Sequence, residues 1–248
     1  MKRIPVLVLI LLISITPGCK KNSPDSDEIS LAKKYARYST PVYKDRELNT
    51  WLATLSKTES VDLLALEKVL IKNKPVEIAS VKLSDDSKGF VAAANLADRP
   101  LVFIEDTKAH VRNNEGSKVE ATIPRGTIGF IMEEKGNWVQ VYVGKIGEKY
   151  ITKQWVQGGF STETALILEA RTYEEACSVL AKKKTEVKPE LWEEALEKLQ
   201  NLKSSSSIFA GLASDKMAAL EGKVAVEEEK EETVGGDNTE HTEGENMP

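Results

Sequence analysis

Residues 101–160 read LVFIEDTKAHVRNNEGSKVEATIPRGTIGFIMEEKGNWVQVYVGKIGEKYITKQWVQGGF. Short apolar runs recur between polar or glycine-bearing turns: Leu101 to Ile104, Val119 to Ile123, Ile128 to Met132, Trp138 to Val143, Tyr150-Ile151 and Trp155-Val156. Each is too short for a helix and rich in β-branched and aromatic residues. Strands at this spacing predict a small barrel or sandwich. Trp138, Gln140 and Tyr142 fall on one face of their strand and Val139, Val141 and Val143 on the other. The valine face has no polar atom to satisfy, so it is assigned to the core, which places Trp138 and Tyr142 outside.

Outward from this stretch, the chain begins with Lys2 and Arg3 and an apolar run from Ile4 to Ile15. That run is shorter than the ~20 residues of a spanning helix and reads as a secretion signal over 1–18. It ends in Thr16-Pro17-Gly18-Cys19. A small residue before a cysteine resembles a lipobox of the looser, spirochaete type. The resemblance implies that the Cys19 thiol receives a lipid and becomes the mature N-terminus. The rest of the chain has no apolar run near spanning length, so the expectation is a protein anchored to a membrane by lipid. Residues 19–37 read as a solvated tether.

Charge is unevenly distributed. Loss of the leader with its two cations takes the net charge from −5 to −7. Residues 221–248 carry ten acidic residues against Lys223 and Lys230, a net of −8. The part between is therefore close to neutral, about +1, and lacks the basic footprint that nucleic acid requires. With Cys19 lipidated, Cys177 is the one free cysteine and no intramolecular disulfide forms. Its helical neighbours Tyr173 and Leu180 make it a core or half-buried thiol.

The first half echoes the second. Leu52 to Leu55 resembles Glu120 to Ile123, Ile78 to Leu83 resembles Trp138 to Val143, and Lys88 to Val91 resembles Lys153 to Val156. The three matches keep their order at offsets of 60 to 68 residues, a period that indicates two copies of a domain. Within 45–72, Leu48, Trp51, Leu52, Leu55, Leu63, Leu66 and Leu70 also fit helical spacing. Strands are preferred there because the segment from Val76 to Val91 alternates as a hairpin about Ser84 to Ser87.

His110-Val111-Arg112, the turn Pro124 to Thr127, the strand Trp138 to Val141 and the closing Trp155-Val156 resemble the bacterial SH3-like domain family. Gln154 stands where that family has a glycine, and Gly144 to Thr152 reads as an insertion. In the first half only Lys88 to Val91 comes close. The expected architecture is mainly β with C-terminal α: two small SH3-like barrels over 38–98 and 99–161, then an amphipathic helical segment over 162–220. In that segment Thr172 with Glu175 forms a capping box, so a helix is expected to start there. A second is expected from Pro189 and a third, weaker one over 208–220. The acidic 221–248 is expected to be disordered.

No nucleophile–base pair, paired carboxylates or phosphate loop can be drawn from these residues. The two histidines are His110 and His241, and neither has a neighbour at metal-ligand spacing. The expectation is a non-enzyme without cofactor or metal. A cell-wall hydrolase would need a catalytic domain, and the ~90 residues after Phe160 are too few for one. Trp138, Tyr142, Tyr150 and Trp155 are the candidate ligand-binding residues, with core packing expected to absorb one or two of them. The resemblance implies binding of peptidoglycan or envelope proteins, by a protein held at the outer membrane. The alternative is a surface-exposed lipoprotein that binds host extracellular proteins.

Overall fold

Among the described residues, two antiparallel sheets of seven strands each form the body of the fold, and three helices cover one face of the second. The computed structural model describes residues 30–234. The signal segment, Cys19, the first part of the tether and residues 235–248 lie outside the described residues.

The first sheet comprises β1 (Ala32–Ala36), β2 (Thr40–Tyr43), β3 (Trp51–Leu55), β4 (Ser60–Ile71), β5 (Lys74–Lys82), β6 (Lys88–Ala92) and β7 (Leu96–Ala97). The second comprises β8 (Arg99–Phe103), β9 (Thr107–His110), β10 (Val119–Ile123), β11 (Ile128–Lys135), β12 (Trp138–Tyr142), β15 (Gln154–Val156) and β16 (Phe160–Ser161). The hairpin β13 (Gly144–Ile146) with β14 (Lys149–Ile151) stands apart from both sheets, in the stretch expected to be an insertion. One of the two sheets is a curled half-barrel.

The strand order is β3-β2-β6-β5-β4-β1-β7 in the first sheet and β10-β9-β15-β12-β11-β8-β16 in the second. Position for position, these are the same order. The three matched segments of sequence lie on corresponding strands: β3 with β10, β5 with β12 and β6 with β15. A further correspondence escaped the sequence comparison. Thr40 and Thr107 open β2 and β9, both are buried, and each hydroxyl donates to the carbonyl two residues back, Tyr38 at 2.7 Å and Glu105 at 3.0 Å. This side-chain turn closes the same corner in both sheets.

The segment 45–72 is strand rather than helix. Nine register pairs join β4 to β5, so tertiary pairing overrides the helical spacing of the leucines. The valine face of β12 is core: Val139, Val141 and Val143 pack with Leu101, Phe103, Ala109, Ile123 and Val156. The other face of β8 and β11 is also covered. Val102, Ile128 and Phe130 there join a cluster with α1 (Thr164–Leu180), α2 (Pro189–Lys203) and α3 (Ile208–Val234). Burial on both faces explains the unbroken apolar runs of these two strands.

Three boundaries differ from expectation. The segment set as tether over 19–37 ends in a strand, since β1 pairs with both β4 and β7. Ala32 to Ala36 carries no strong alternation and becomes a strand because long-range partners supply its hydrogen bonds. The first helix begins at Thr164, eight residues before Thr172. Thr172 caps nothing and instead donates to the Leu168 carbonyl at 3.0 Å within the helix. The third helix continues to Val234, into the segment set as a disordered tail, because no glycine or proline stands between Gly222 and Gly235 to stop it. Among the described residues no helix is long and apolar enough to cross a membrane.

Candidate functional site

The four aromatic candidates do not form one cluster. Trp138, at the start of β12, is half-buried, and its ring meets His110 edge-on at 5.2 Å. Trp155 is buried rather than available to a ligand, which corrects its place among the docking residues. Gln140 and His110 lie directly opposite it on the two flanking strands, so it is enclosed in the middle of the sheet face. Tyr150 sits on the β13–β14 hairpin and is 65% exposed. That hairpin is held against β10 by Lys149, whose ammonium donates to the Glu120 carboxylate at 2.9 Å and carbonyl at 3.0 Å. The Lys149 hydrogen bond, with Lys118 also near, lowers the carboxyl pKa of Glu120.

Tyr142, four residues along β12 from Trp138, lies about 13 Å from it by strand geometry. It faces a different neighbourhood. Its ring lies 6.5 Å from Phe130 and is covered by the Arg37 guanidinium, whose carbon stands 3.9 Å from the ring centroid. Arg37 follows β1, so this cation–π contact joins the first sheet to the second. Arg37 also donates to the Ala94 carbonyl at 3.0 Å and to Met132 Sδ at 3.5 Å, while its buried Nε has no partner among the described residues.

Around this pair opens a cleft of about 480 Å³ between the two sheets and α1. Arg37, Tyr38, Lys57, Tyr142, Arg171 and Glu174 are among its lining residues. Lys57 donates to both oxygens of Glu174, at 2.9 and 2.7 Å, and Arg171 stands 3.9 Å from Glu175. The lysine and the second arginine are thus matched by carboxylates, and Arg37 remains the cation committed to a ring and a carbonyl. Tyr38 donates to Asn95 Oδ1 at 2.6 Å at the cleft rim. Of the four aromatics picked from the sequence, only Tyr142 lines this cleft. Arg37, Lys57 and α1 were missed because they lie far from β12 in the chain, and no local pattern marks a cation that will stack on a distant ring.

Cys177 and Tyr173 share one side of α1. Burial pushes the thiol pKa up, with only a partial offset from its Tyr173 hydrogen bond and from Lys216. Burial likewise raises the Tyr173 phenol. A thiol kept protonated is a poor nucleophile. Among the described residues no group of three or more His, Cys, Asp or Glu side chains is placed to hold a metal.

The faces of β12 predict an ordered pair of stabilities. Val141→Ala should cost about 1.5–3 kcal/mol, since that side chain is wholly buried. Trp138→Ala should cost less, about 0.5–1.5 kcal/mol, chiefly the aromatic pair with His110. Denaturant melts of both variants check the order. A larger loss from Trp138→Ala would show that its ring is a core element.

Two sheets of one strand order, a helical cap and a cleft between them define a mainly β protein with C-terminal helices. The chain belongs to the LenA lipoprotein family, whose model, described as "Lipoprotein LenA", matches residues 6–233. It is therefore a membrane-associated lipoprotein. No curated protein matches the chain. Among solved structures, NlpC2 from Trichomonas vaginalis is similar at 11% identity and a TM-score of 0.23, covering 60% of this chain and 56% of that one. NlpC1 from the same organism is similar at 12% identity and a TM-score of 0.22, covering 59% and 52%. The chain thus spans little more than half the length of either. Overlap at this level is too low to carry an argument about fold or activity.

Proposed function

We propose that this is a non-catalytic, lipid-anchored protein of the cell envelope, whose two β units are SH3-like domains that bind peptidoglycan or envelope proteins. Cys19 carries the lipid and holds the protein at the outer membrane. The shared strand order and the paired Thr40 and Thr107 turns support two copies of one binding unit. The observation that carries the reading is the open cleft between the copies, floored by Tyr142 under Arg37. Stacking on Tyr142 fixes the Arg37 guanidinium at the cleft, and its remaining Nη hydrogens are suited to a peptide with a carboxylate.

A second reading, a surface-exposed lipoprotein that binds host extracellular proteins, is favoured by Trp51 and Tyr150. Both are large, exposed aromatics outside the cleft, and aromatics of this kind serve broad protein faces. Capture by purified peptidoglycan, run beside capture by envelope and host proteins, separates the readings. Protease treatment of intact cells gives the side of the membrane the protein faces. In the leading reading peptidoglycan or envelope protein retains the wild type, and Arg37→Ala with Tyr142→Ala lowers retention at least about tenfold. Labelled palmitate should enter the wild type and not Cys19→Ala, and equal labelling of both would remove Cys19 as the lipid acceptor.

A further inference from the structure

The β4–β5 hairpin is longer than the sheet it belongs to. β1 follows β4 only between Ser60 and Leu63, and β6 follows β5 only between Ile78 and Lys82. The pairing of β4 with β5 continues past both neighbours to Ile71 opposite Lys74. The hairpin therefore leaves the sheet as a two-stranded arm. It turns at Lys72-Asn73, whose φ angles of 50° and 63° are those of a two-residue hairpin loop.

The composition of the arm is unusual for a solvated ribbon. Residues 69–76 are Val, Leu, Ile, Lys, Asn, Lys, Pro and Val, with two cations and no acid. Leu66 is 51% exposed and Leu70 is 73% exposed. They lie opposite Ala79 and Pro75, on one face. A half-solvated sheet normally turns its polar residues outward, and here two leucines share the outward face with Lys68 and Glu77. Lower down, Lys68 faces Glu77 across the ribbon, and Arg46 stands 3.3 Å from Glu67. The net positive charge thus collects at the tip, on Lys72 and Lys74.

We infer that this arm is a second membrane contact, with Leu70, Lys72, Lys74 and Pro75 docking on the anionic lipid surface that holds the anchored chain. The inference rests on the lipid-anchor reading of Cys19. The chain enters the fold at Leu31, whose amide donates to the Leu63 carbonyl at 2.8 Å, at the root of the arm. Eleven residues separate Leu31 from Cys19, a reach of up to ~40 Å. From Leu63 to Ile71 the strand runs about 26 Å, so an anchor at Cys19 leaves the tip free to meet the same lipid surface. Apolar side chains sink to the acyl boundary while the lysine heads stay among phosphates. Each lysine adds attraction to an anionic leaflet, and the tether makes even a weak contact effective by keeping the tip close.

The test uses the full mature chain as Cys19→Ala, so that no lipid assists it. The protein is floated with vesicles of phosphatidylglycerol and phosphatidylcholine in equal parts, and with vesicles of phosphatidylcholine alone. Binding is expected to the anionic vesicles only, and to fall in ~1 M salt. Leu70→Glu, and separately Lys72→Glu with Lys74→Glu, should each weaken it at least about tenfold. Thermal melts should stay near the parent, because these side chains are exposed. Absence of flotation, or flotation unchanged by both variants, overturns the inference. So does a dimer in sedimentation that Leu70→Glu dissolves while vesicles bind nothing, since the arm then pairs copies of the chain. Palmitate labelling tests Cys19 separately, so failure of the anchor and failure of the arm give different results.

Discussion

Phe209→Ala should remove about 3–5 kcal/mol of stability, the range for truncating a large buried aromatic. Phe209 opens α3 and is wholly buried. Its ring lies 5.8 Å from Tyr173 on α1. It shares its cluster with Leu199 and Leu202 of α2 and with Val102, Ile128 and Phe130 of the second sheet. The cluster it belongs to thus joins three helices to the outer face of β8 and β11. Domains of ordinary size have about 5–15 kcal/mol in total, so the loss is a large share of the whole. A denaturant melt measures it, with Leu168→Ala as the comparison, since Leu168 is exposed on α1 and should change little. A Phe209→Ala loss below about 1 kcal/mol would mean that the helices do not dock on the sheet.

Gly89→Ala should cost about 1–3 kcal/mol or more, by overpacking. Gly89 is buried on β6, where a Cβ would stand 2.5 Å from Val42 Cγ1, 2.9 Å from the Tyr43 carbonyl oxygen and 3.0 Å from Leu52 Cδ2. The backbone oxygen cannot rotate away, so β2 and β6 would have to part. Gly136 makes the control. It has φ of 59° and nothing among the described residues within 4 Å of an added Cβ, so Gly136→Ala should show only the cost of the left-handed backbone, about 1–2 kcal/mol. Thermal melts of the two variants compare crowding with conformation. A Gly89→Ala loss below about 1 kcal/mol would show that β6 does not approach β2 this closely. In the second sheet the corresponding strand carries Gln154, whose side-chain oxygen accepts from the Thr152 and Lys153 amides. Gln154 thereby holds the turn that returns from the β13–β14 hairpin.

Much of the architecture was legible in local pattern. Alternation put Val139, Val141 and Val143 inward because a strand's side chains point to opposite faces with period two, and that period survives any packing partner. Turn residues such as Pro124 to Thr127 marked the ends of strands, and the order of matched segments foretold the corresponding strands of the two sheets. The amphipathic run after Pro189 announced α2 for the same reason: its period is local. In the site, Tyr142 was visible as an outward aromatic, but the cleft that gives it a role was not.

What the local pattern left open are the features that depend on residues distant in the chain. The segment 45–72 satisfied both helical and strand spacing, and its pairing with β5 decided between them. Ala32 to Ala36 became a strand because β4 and β7 supply hydrogen bonds that its own composition does not demand. Trp138 and Trp155 both read as ligand-binding candidates, yet Trp138 stands half-buried at the start of its strand and Trp155 between His110 and Gln140, so only one is enclosed. Arg37 reaches Tyr142 across 105 positions of sequence. The physical reason is common to all of these. Backbone period and turn chemistry act over a few residues, whereas burial and partnering are set by whichever surfaces the fold brings together.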